Sequence, residues 1–564
     1  MPAEAQLDQD ILQVLKEMSP STAYLVGFED YAGRVFVPSR SNVNRVLRIM
    51  RSLRRRAKTE LQKKTLDSAE EVMRFDEPQP VLEDIVSSIF AHLVKEQGVN
   101  EERMLSLLTC AWRAIEARRA SYQGMEVSTA LKALVLYRYT GFRELLDVVR
   151  KESKDPRVKK ACRELKSKGA EYAELFRLRG FGAGEFPRVE KIFRRSGFEL
   201  GREKAYPRIL RRAFDYHETP RQLEANALAW IDEELPKYER VTEKLAKAYG
   251  CEPDPDKVEA ALNSRIPLDP KKLLRTTAAA RKVVQRFVDR DMCRINPKYR
   301  TKLIETPSYL TGTMPSGAAQ FFDTYTKKPF QIFFQTTDPR RDPDRAIPAL
   351  INLLVHEEYG HCVHHSNSAL GFLGSVEPLR LYPGLPIGCP ITEGLSLNRE
   401  IEFFEVSEAL EKKLKKNGMR GLSTPERDYV RLAQKYGGLE LLNLELEFWT
   451  RRWRLIRFLR VVGDVRVNTG SQGLVEFLDW AKEHTGVPRA SMYFQLFPAH
   501  EGMFPGYATC YAVVGQEIRE MERKIKDNEK RIKFSTYLCS IGFPPRSLYR
   551  RMLQDYARKV NDGK

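Results

Sequence analysis

Apolar residues recur along most of this chain at three- and four-residue intervals, the spacing of helices with one buried face. Such stretches run from Val81 to Lys95, Glu101 to Arg119 and Val127 to Arg138. Val46, Leu47, Met50 and Leu53 form an apolar flank among Arg45, Arg48, Arg51 and Arg54 to Arg56, which predicts a basic amphipathic helix. Ser423-Thr424-Pro425-Glu426 is a helix start, because Ser or Thr before Pro and Glu caps the first turn. Glu218-Thr219-Pro220-Arg221 opens another helical region. Strand signals are few: a short one at Val35-Phe36-Val37 and an aromatic one at Phe330 to Phe334. Asp338 to Pro343 reads as a turn-rich connector into the apolar run Ile351 to Val355. Gly180 to Gly184 lacks a preceding strand and a Lys-Ser/Thr, so it reads as a loop and not a phosphate cradle. The pattern predicts a mainly α fold with a small sheet near Gln331 to Gln335.

With 564 residues, 42% hydrophobic and 30% charged, the chain has the balance of a globular protein with a substantial core. No apolar run reaches the ~18 residues that a membrane span needs. Met1 to Ala5 carries no basic-then-apolar leader. The eight cysteines are scattered without a C-x-x-C pair, which predicts a reducing, cytoplasmic setting. The net charge is +19. Basic residues concentrate before residue 210, in the arginine helix and from Lys151 to Lys168, and continue from Arg194 to Arg212. This divides the chain into a basic, mostly helical region, 1–210, and a second region, 211–564. A charge run is usually a solvated face; the alternatives are a nucleic acid, an acidic partner or an anionic surface.

The sharpest chemical signal is a cluster of imidazoles. His356, His361, His364 and His365 are four of the chain's eight histidines, and Glu357 and Glu358 follow the first. Imidazole and carboxylate together suit zinc or a similar divalent ion. The usual zinc-helix signature places two His four apart, with a general-base Glu after the first. Here His356 and His361 are five apart. On a regular helix, steps of about 100° set their rings roughly 140° apart. Chelation of one ion then requires a π-bulge, or a break at Gly360. His361 with His365 and Glu357 with His361 are the regularly spaced alternatives. Cys362 points away from His361 and reads as core. Glu393, at the head of the predicted amphipathic helix Leu395 to Phe404, is the candidate third ligand; a first-turn acid favoured by the helix dipole is the alternative.

Four elements occur in order: His356-Glu357 with Gly360-His361, Glu393-Gly394-Leu395, Arg457 through Arg460 to Asp464, and Pro505-Gly506 through Tyr511 to Gly515. Together with weaker segments at 218–221 and 305–334, they resemble the metallopeptidase-like domain-of-unknown-function family 885, over roughly residues 215–525. That family carries V-H-E-x-x-P-G-H-H, E-G-W-A and P-G-x-x-x-x-Y-x-x-G elements. This chain departs from it: the Pro before Gly360 is missing, Leu395 replaces Trp, Asn468 replaces His, and Gly515 falls one residue late.

The resemblance implies a large helical, zincin-like metallopeptidase body with its small sheet beside the metal helix. It implies one Zn²⁺ held by His356, His361 and Glu393, with Glu357 as general base for hydrolysis of short peptides in a carboxypeptidase- or oligopeptidase-like manner. Tyr511 is the first candidate for the oxyanion, with Tyr507 and His500 behind it; a core aromatic with a satisfied hydroxyl is the alternative for each. Arg460 and Asp464 have the spacing of a helix ion pair. The resemblance adds a supporting or substrate-carboxylate role for them, and a substrate-binding or supporting role for Tyr507 and Glu400. The departures leave a second reading: a non-catalytic descendant whose basic surface binds nucleic acid or a macromolecular complex.

Overall fold

A computed structural model describes residues 3–265, 269, 271–310, 316–337 and 346–561. The connector at 338–343 lies outside the described residues. The fold is mainly helical. The helices that matter for the site are α1 (Arg40–Arg56), α2 (Pro80–Lys95), α3 (Thr129–Glu152), α4 (Pro220–Tyr249) and α5 (Leu273–Asp291). They continue with α6 (Ile347–Leu354), α7 (Cys389–Asn417), α8 (Leu439–Thr469) and α9 (Cys510–Glu522). One small sheet has the order β1-β3-β2. β1 (Thr301–Glu305) runs parallel to the central β3 (Phe330–Gln335), and β2 (Gly317–Phe322) antiparallel to it. Val35 to Val37 forms no strand and joins no sheet; three residues without a partner strand cannot satisfy a ladder. No described helix is long and apolar enough to cross a membrane.

Capping chemistry sets the helix starts as expected. Ser423 and Glu426 form a reciprocal capping box, and so do Thr219 and Gln222 at the start of α4. α1 buries Val46, Leu47, Met50 and Leu53 as its spacing predicts. α7 departs from expectation. It begins at Cys389, so Glu393 lies a full turn inside it and is no cap. Nor is α7 amphipathic in its first half: Ser396, Asn398, Arg399, Glu400 and Glu402 are all buried beside its apolar residues. Its polar positions face internal partners, as when Arg399 bonds Glu402 and Ser535.

The charge boundary near residue 210 does not coincide with a break in packing. One apolar cluster joins Ala130 and Leu134 of α3, Tyr206 and Leu210, and Trp449 and Phe458 of α8. A polar network crosses the same boundary. Buried Arg202 bonds Glu77 at 2.5 Å and Glu501 at 2.7 Å. The sheet and α7 both pack on the segment that follows α6.

Two close approaches fix these layers. A Cβ on Gly394 would lie 2.7 Å from the Gly515 nitrogen and 2.8 Å from Val514 Cβ, so α7 and α9 touch through their backbones. A Cβ on Gly360 would lie 2.3 Å from Ser396 Oγ and 2.7 Å from Ser396 Cα. Gly360 is therefore needed for contact with α7, and not for an unusual backbone angle: its φ is not positive. Gly360→Ala is expected to lower stability by about 1–3 kcal/mol through overpacking. A shifted denaturant midpoint at unchanged slope would report this; an unchanged midpoint would show that α7 yields freely.

Candidate metal centre

Residues Val355–Cys362 form a π-helix, continuous with α6 before it and with the helix Val363–Ala369 after it. Its i→i+5 bonding widens the turn, so residues five apart come to one face. The His356 and His361 rings stand 4.9 Å apart, at 86° to one another. The spacing that a regular helix forbids is resolved by the bulge and not by a break at Gly360.

The third group arrives from α7. His361 Nε2 lies 3.3 Å and His356 Nε2 3.7 Å from Glu393 Oε2. All three residues are buried, and their ligand atoms lie within 4.8 Å of one another. Ligand bonds of ~2.0–2.2 Å in a tetrahedron set neighbouring donor atoms ~3.3–3.6 Å apart, close to the two His–Glu spacings. The hydrogen bonds agree with this. Glu393 Oε2 is buried without a hydrogen-bond partner, while Oε1 accepts from the Tyr507 hydroxyl at 2.5 Å. His356 Nδ1 lies 2.7 Å from Glu400 Oε1. His361 Nδ1 lies 3.0 Å from Ser396 Oγ, whose own proton goes to the Thr392 carbonyl at 3.1 Å. Each Nδ1–H is thus donated outward and each Nε2 is turned toward Glu393, the arrangement that orients imidazole ligands.

The electrostatics favour a cation. Burial and Arg457 oppose protonation of His356, yet Glu393 and Glu400 outweigh them and push it up to about 9. Burial alone would raise Glu393, but His361 and His356 hold it well below the usual carboxylate range. Burial works likewise against Glu400, and Arg457, at 2.7 Å, more than offsets it.

The other residues of the cluster serve the scaffold. Glu358 is fully buried, bound to Arg281 of α5 at 2.6 Å and to the Tyr299 hydroxyl at 2.9 Å. His364 Nε2 meets the Gly542 carbonyl at 2.8 Å. His365 meets Thr324 at 2.7 Å and Gln331 at 2.9 Å, stacked on Phe321. Burial pushes both rings down to about 3, so they stay neutral. Cys362 is buried in the core.

A cavity of about 390 Å³ opens over the three groups, lined also by Glu357, Arg457, Arg460, His500, Tyr507, Tyr511 and β2. No hydrogen bond or ion pair to a described residue holds the Glu357 carboxylate. His500 Nδ1 meets the Gln495 carbonyl at 2.5 Å, and its Nε2 lies 3.2 Å from the Tyr511 hydroxyl. Burial, with Arg460 beside it, holds His500 well below its ordinary value, so the ring is neutral. Tyr507 is committed to Glu393, which leaves Tyr511 as the phenol facing the cavity. Asp464 does not pair with Arg460. It accepts from the Tyr206 hydroxyl at 2.5 Å, the Gly506 amide at 3.1 Å and Asn468 at 3.0 Å. Asn468 also reaches Glu501 at 2.9 Å. The departure at 468 thus joins the buried Arg202 network that holds the segment from His500 to Tyr507. A larger cavity of about 1280 Å³ adjoins the first across Gln320, Trp453, Gln495 and Tyr507. Its far wall comes from α2 and α3, including Asp84, Phe90, Arg138 and Glu144.

Sequence reasoning passed over Ser396, Arg457 and the Arg281–Glu358 pair. Ser396 and Glu400 follow Glu393 at helical i+3 and i+7, so the stripe was readable once Glu393 was taken as a ligand. Arg281 lies 77 residues from Glu358 and leaves no local sign.

No protein-family model matches the sequence, and no curated protein matches it. Among the solved structures that share the fold are two named "putative lipoprotein". One, from Colwellia psychrerythraea, aligns with a TM-score of 0.67 at 13% identity over 98% of this chain and 99% of its own. The other, from Shewanella oneidensis and of unknown function, aligns with a TM-score of 0.64 at 15% identity over 98% of this chain and 100% of its own.

If these three groups hold an ion, the purified chain should carry about one transition-metal ion. His361→Ala should lose it, and His365→Gln, whose ring faces the sheet, should keep it. Glu400→Gln should weaken affinity by about 10–100-fold. Elemental analysis and competition with a chromogenic chelator would measure each; full metal in His361→Ala would disqualify this ligand set.

Proposed function

We propose that this chain is a metal-dependent hydrolase of peptide bonds, with zinc the ion that best suits the donors. One observation carries the reading: an unbonded carboxylate, Glu357, faces the cavity next to a His-His-Glu triangle whose members are each held by a dedicated partner. The resemblance of the motifs to family 885 points the same way. His356, His361 and Glu393 would hold the ion, which when bound would supply Lewis-acid polarisation of a scissile carbonyl and a more acidic attacking water. Glu357 takes the proton from that water and passes it to the leaving amine. Tyr511 lies beside Arg457 and Arg460 and donates its hydroxyl to His500 Nε2; turned from that ring into the cavity, the same hydroxyl would serve the oxyanion. Glu400 and Ser396 hold the imidazoles, and Tyr507 holds Glu393. The adjoining cavity leaves room for several residues of an extended peptide.

The alternative, a non-catalytic protein that binds nucleic acid through α1, gains little from the basic helix. Arg45 pairs with Glu17 at 3.0 Å, Arg54 with Asp67 at 2.9 Å and Arg56 with Asp10 at 3.1 Å. Much of the arginine charge is answered by acids of neighbouring helices, which supports the reading of a solvated face.

Glu357→Gln should lower hydrolysis of a peptide library by about 10²–10⁴-fold with metal content retained; full turnover in that variant would remove Glu357 from the reaction. For α1, changing Arg54, Arg55 and Arg56 together to Gln should leave any binding to double-stranded DNA unaltered. If the arginines do neutralise phosphates, the slope of log K against log salt should flatten by about 0.9 for each phosphate left without its arginine.

A further inference from the structure

Four buried arginines lie along one stretch of α8. Arg452 pairs with Glu259 at 2.9 Å, Arg454 with Glu234 at 3.5 Å, and Arg457 with Glu400 at 2.7 Å. Arg460 is as buried as the rest, at 4% exposure, yet no carboxylate among the described residues pairs with it. Its contacts are a hydrogen bond to the neutral Gln495 amide and the face of the Tyr511 ring at 4.9 Å. Its Nε has no partner. Burying a charge without a counter-charge is expensive, and breaking a buried pair by removing one member typically costs several kcal/mol. The cavity that Arg460 lines is where the missing anion can enter.

We propose that Arg460 is the anion subsite of the metal cavity and takes the terminal carboxylate of the substrate, so that the enzyme removes residues from the carboxyl end of a peptide. The substrate being a peptide rests on the function proposed above; the anion subsite does not. Four features point to the carboxylate there. A guanidinium matches a carboxylate with two parallel hydrogen bonds. In a peptide cut at its last bond, the terminal carboxylate lies about one residue, ~3.5 Å, beyond the scissile carbonyl. Arg460 and His356 both flank the Tyr511 ring, at 4.9 Å and 6.2 Å, which sets the anion subsite beside the metal triangle. Arg460 also lines the inner cavity only, whereas Gln495 and Tyr507 line both cavities. A chain entering through the larger cavity therefore meets Arg460 with its end and not with its middle.

The same guanidinium would accept a side-chain carboxylate, so the test separates the two sources. The zinc-loaded full-length Glu357→Gln protein is titrated calorimetrically with three acetylated tetrapeptides: a free acid, its C-terminal amide, and an amide ending in glutamate. The free acid should bind roughly 10–100-fold more tightly than either amide, the range of a charged hydrogen bond. That preference should vanish in the Glu357→Gln/Arg460→Gln double variant. Tight binding of the glutamate amide as well would keep Arg460 as the anion subsite but overturn its assignment to the chain terminus. Equal affinity for all three, or a preference that survives in the double variant, would overturn the subsite. The first comparison needs no change at Arg460, so misfolding of the double variant cannot mask it. Wild-type protein that hydrolyses no peptide, while the carboxylate preference persists, would sink the peptidase reading and leave the subsite standing.

Discussion

Two imidazoles five residues apart share a face only where the backbone between them bonds i→i+5. That constraint governs the architecture around it. A π-turn is rarely adopted unless tertiary contacts hold it, and here they come from every side. Gly360 lets Ser396 approach to backbone contact. Arg281 and Tyr299 fix Glu358 on the opposite face. His364 and His365 anchor the next turn to the sheet and to Gly542. The small sheet adds little core; its part is to give this segment a rigid neighbour.

Charge is handled with the same economy. Most buried acids near the centre face a base: Glu400 faces Arg457, Glu358 faces Arg281, and Glu501 faces Arg202. Burial and the nearby Asp464 nonetheless raise Glu501 well above the carboxylate range, so that network is stabilised by hydrogen bonds as much as by full charges. Against this background the two groups left open, the Glu357 carboxylate and the Arg460 guanidinium, are informative. They face one cavity.

Much of this was legible in the sequence, and its limits are physical. The five-residue spacing called for a bulge or a break at Gly360 if both rings were to meet one ion, and the sequence left the choice between them open. The capping boxes at Thr219 and Ser423 and the buried flank of α1 follow from local rules, which periodicity records faithfully. α7 misled, since a run of Ser, Asn, Arg and Glu looks like a wet face. Its polar groups are bonded inside, to partners such as Glu522, Arg457 and Ser535 more than fifty residues away. The spacing of Arg460 and Asp464 suggested a pair. In the fold the two turn apart, one to the cavity and the other to Tyr206. Contacts such as Arg202 to Glu501 span 299 residues and imprint nothing on the local pattern.

The π-turn also works as a phase shifter. It stores one residue more than a regular helix would need between the same two points, and every side chain after it is indexed by that extra residue. Removing one residue between His356 and His361 would set the rings four apart, on regular spacing. A regular helix would then join the same two points, so the helix beyond could keep its place, with His364 and His365 still on Gly542, Thr324 and Gln331. The extra residue is therefore absorbed within one turn: it sets how the two rings meet and leaves the docking of the rod on the sheet unchanged.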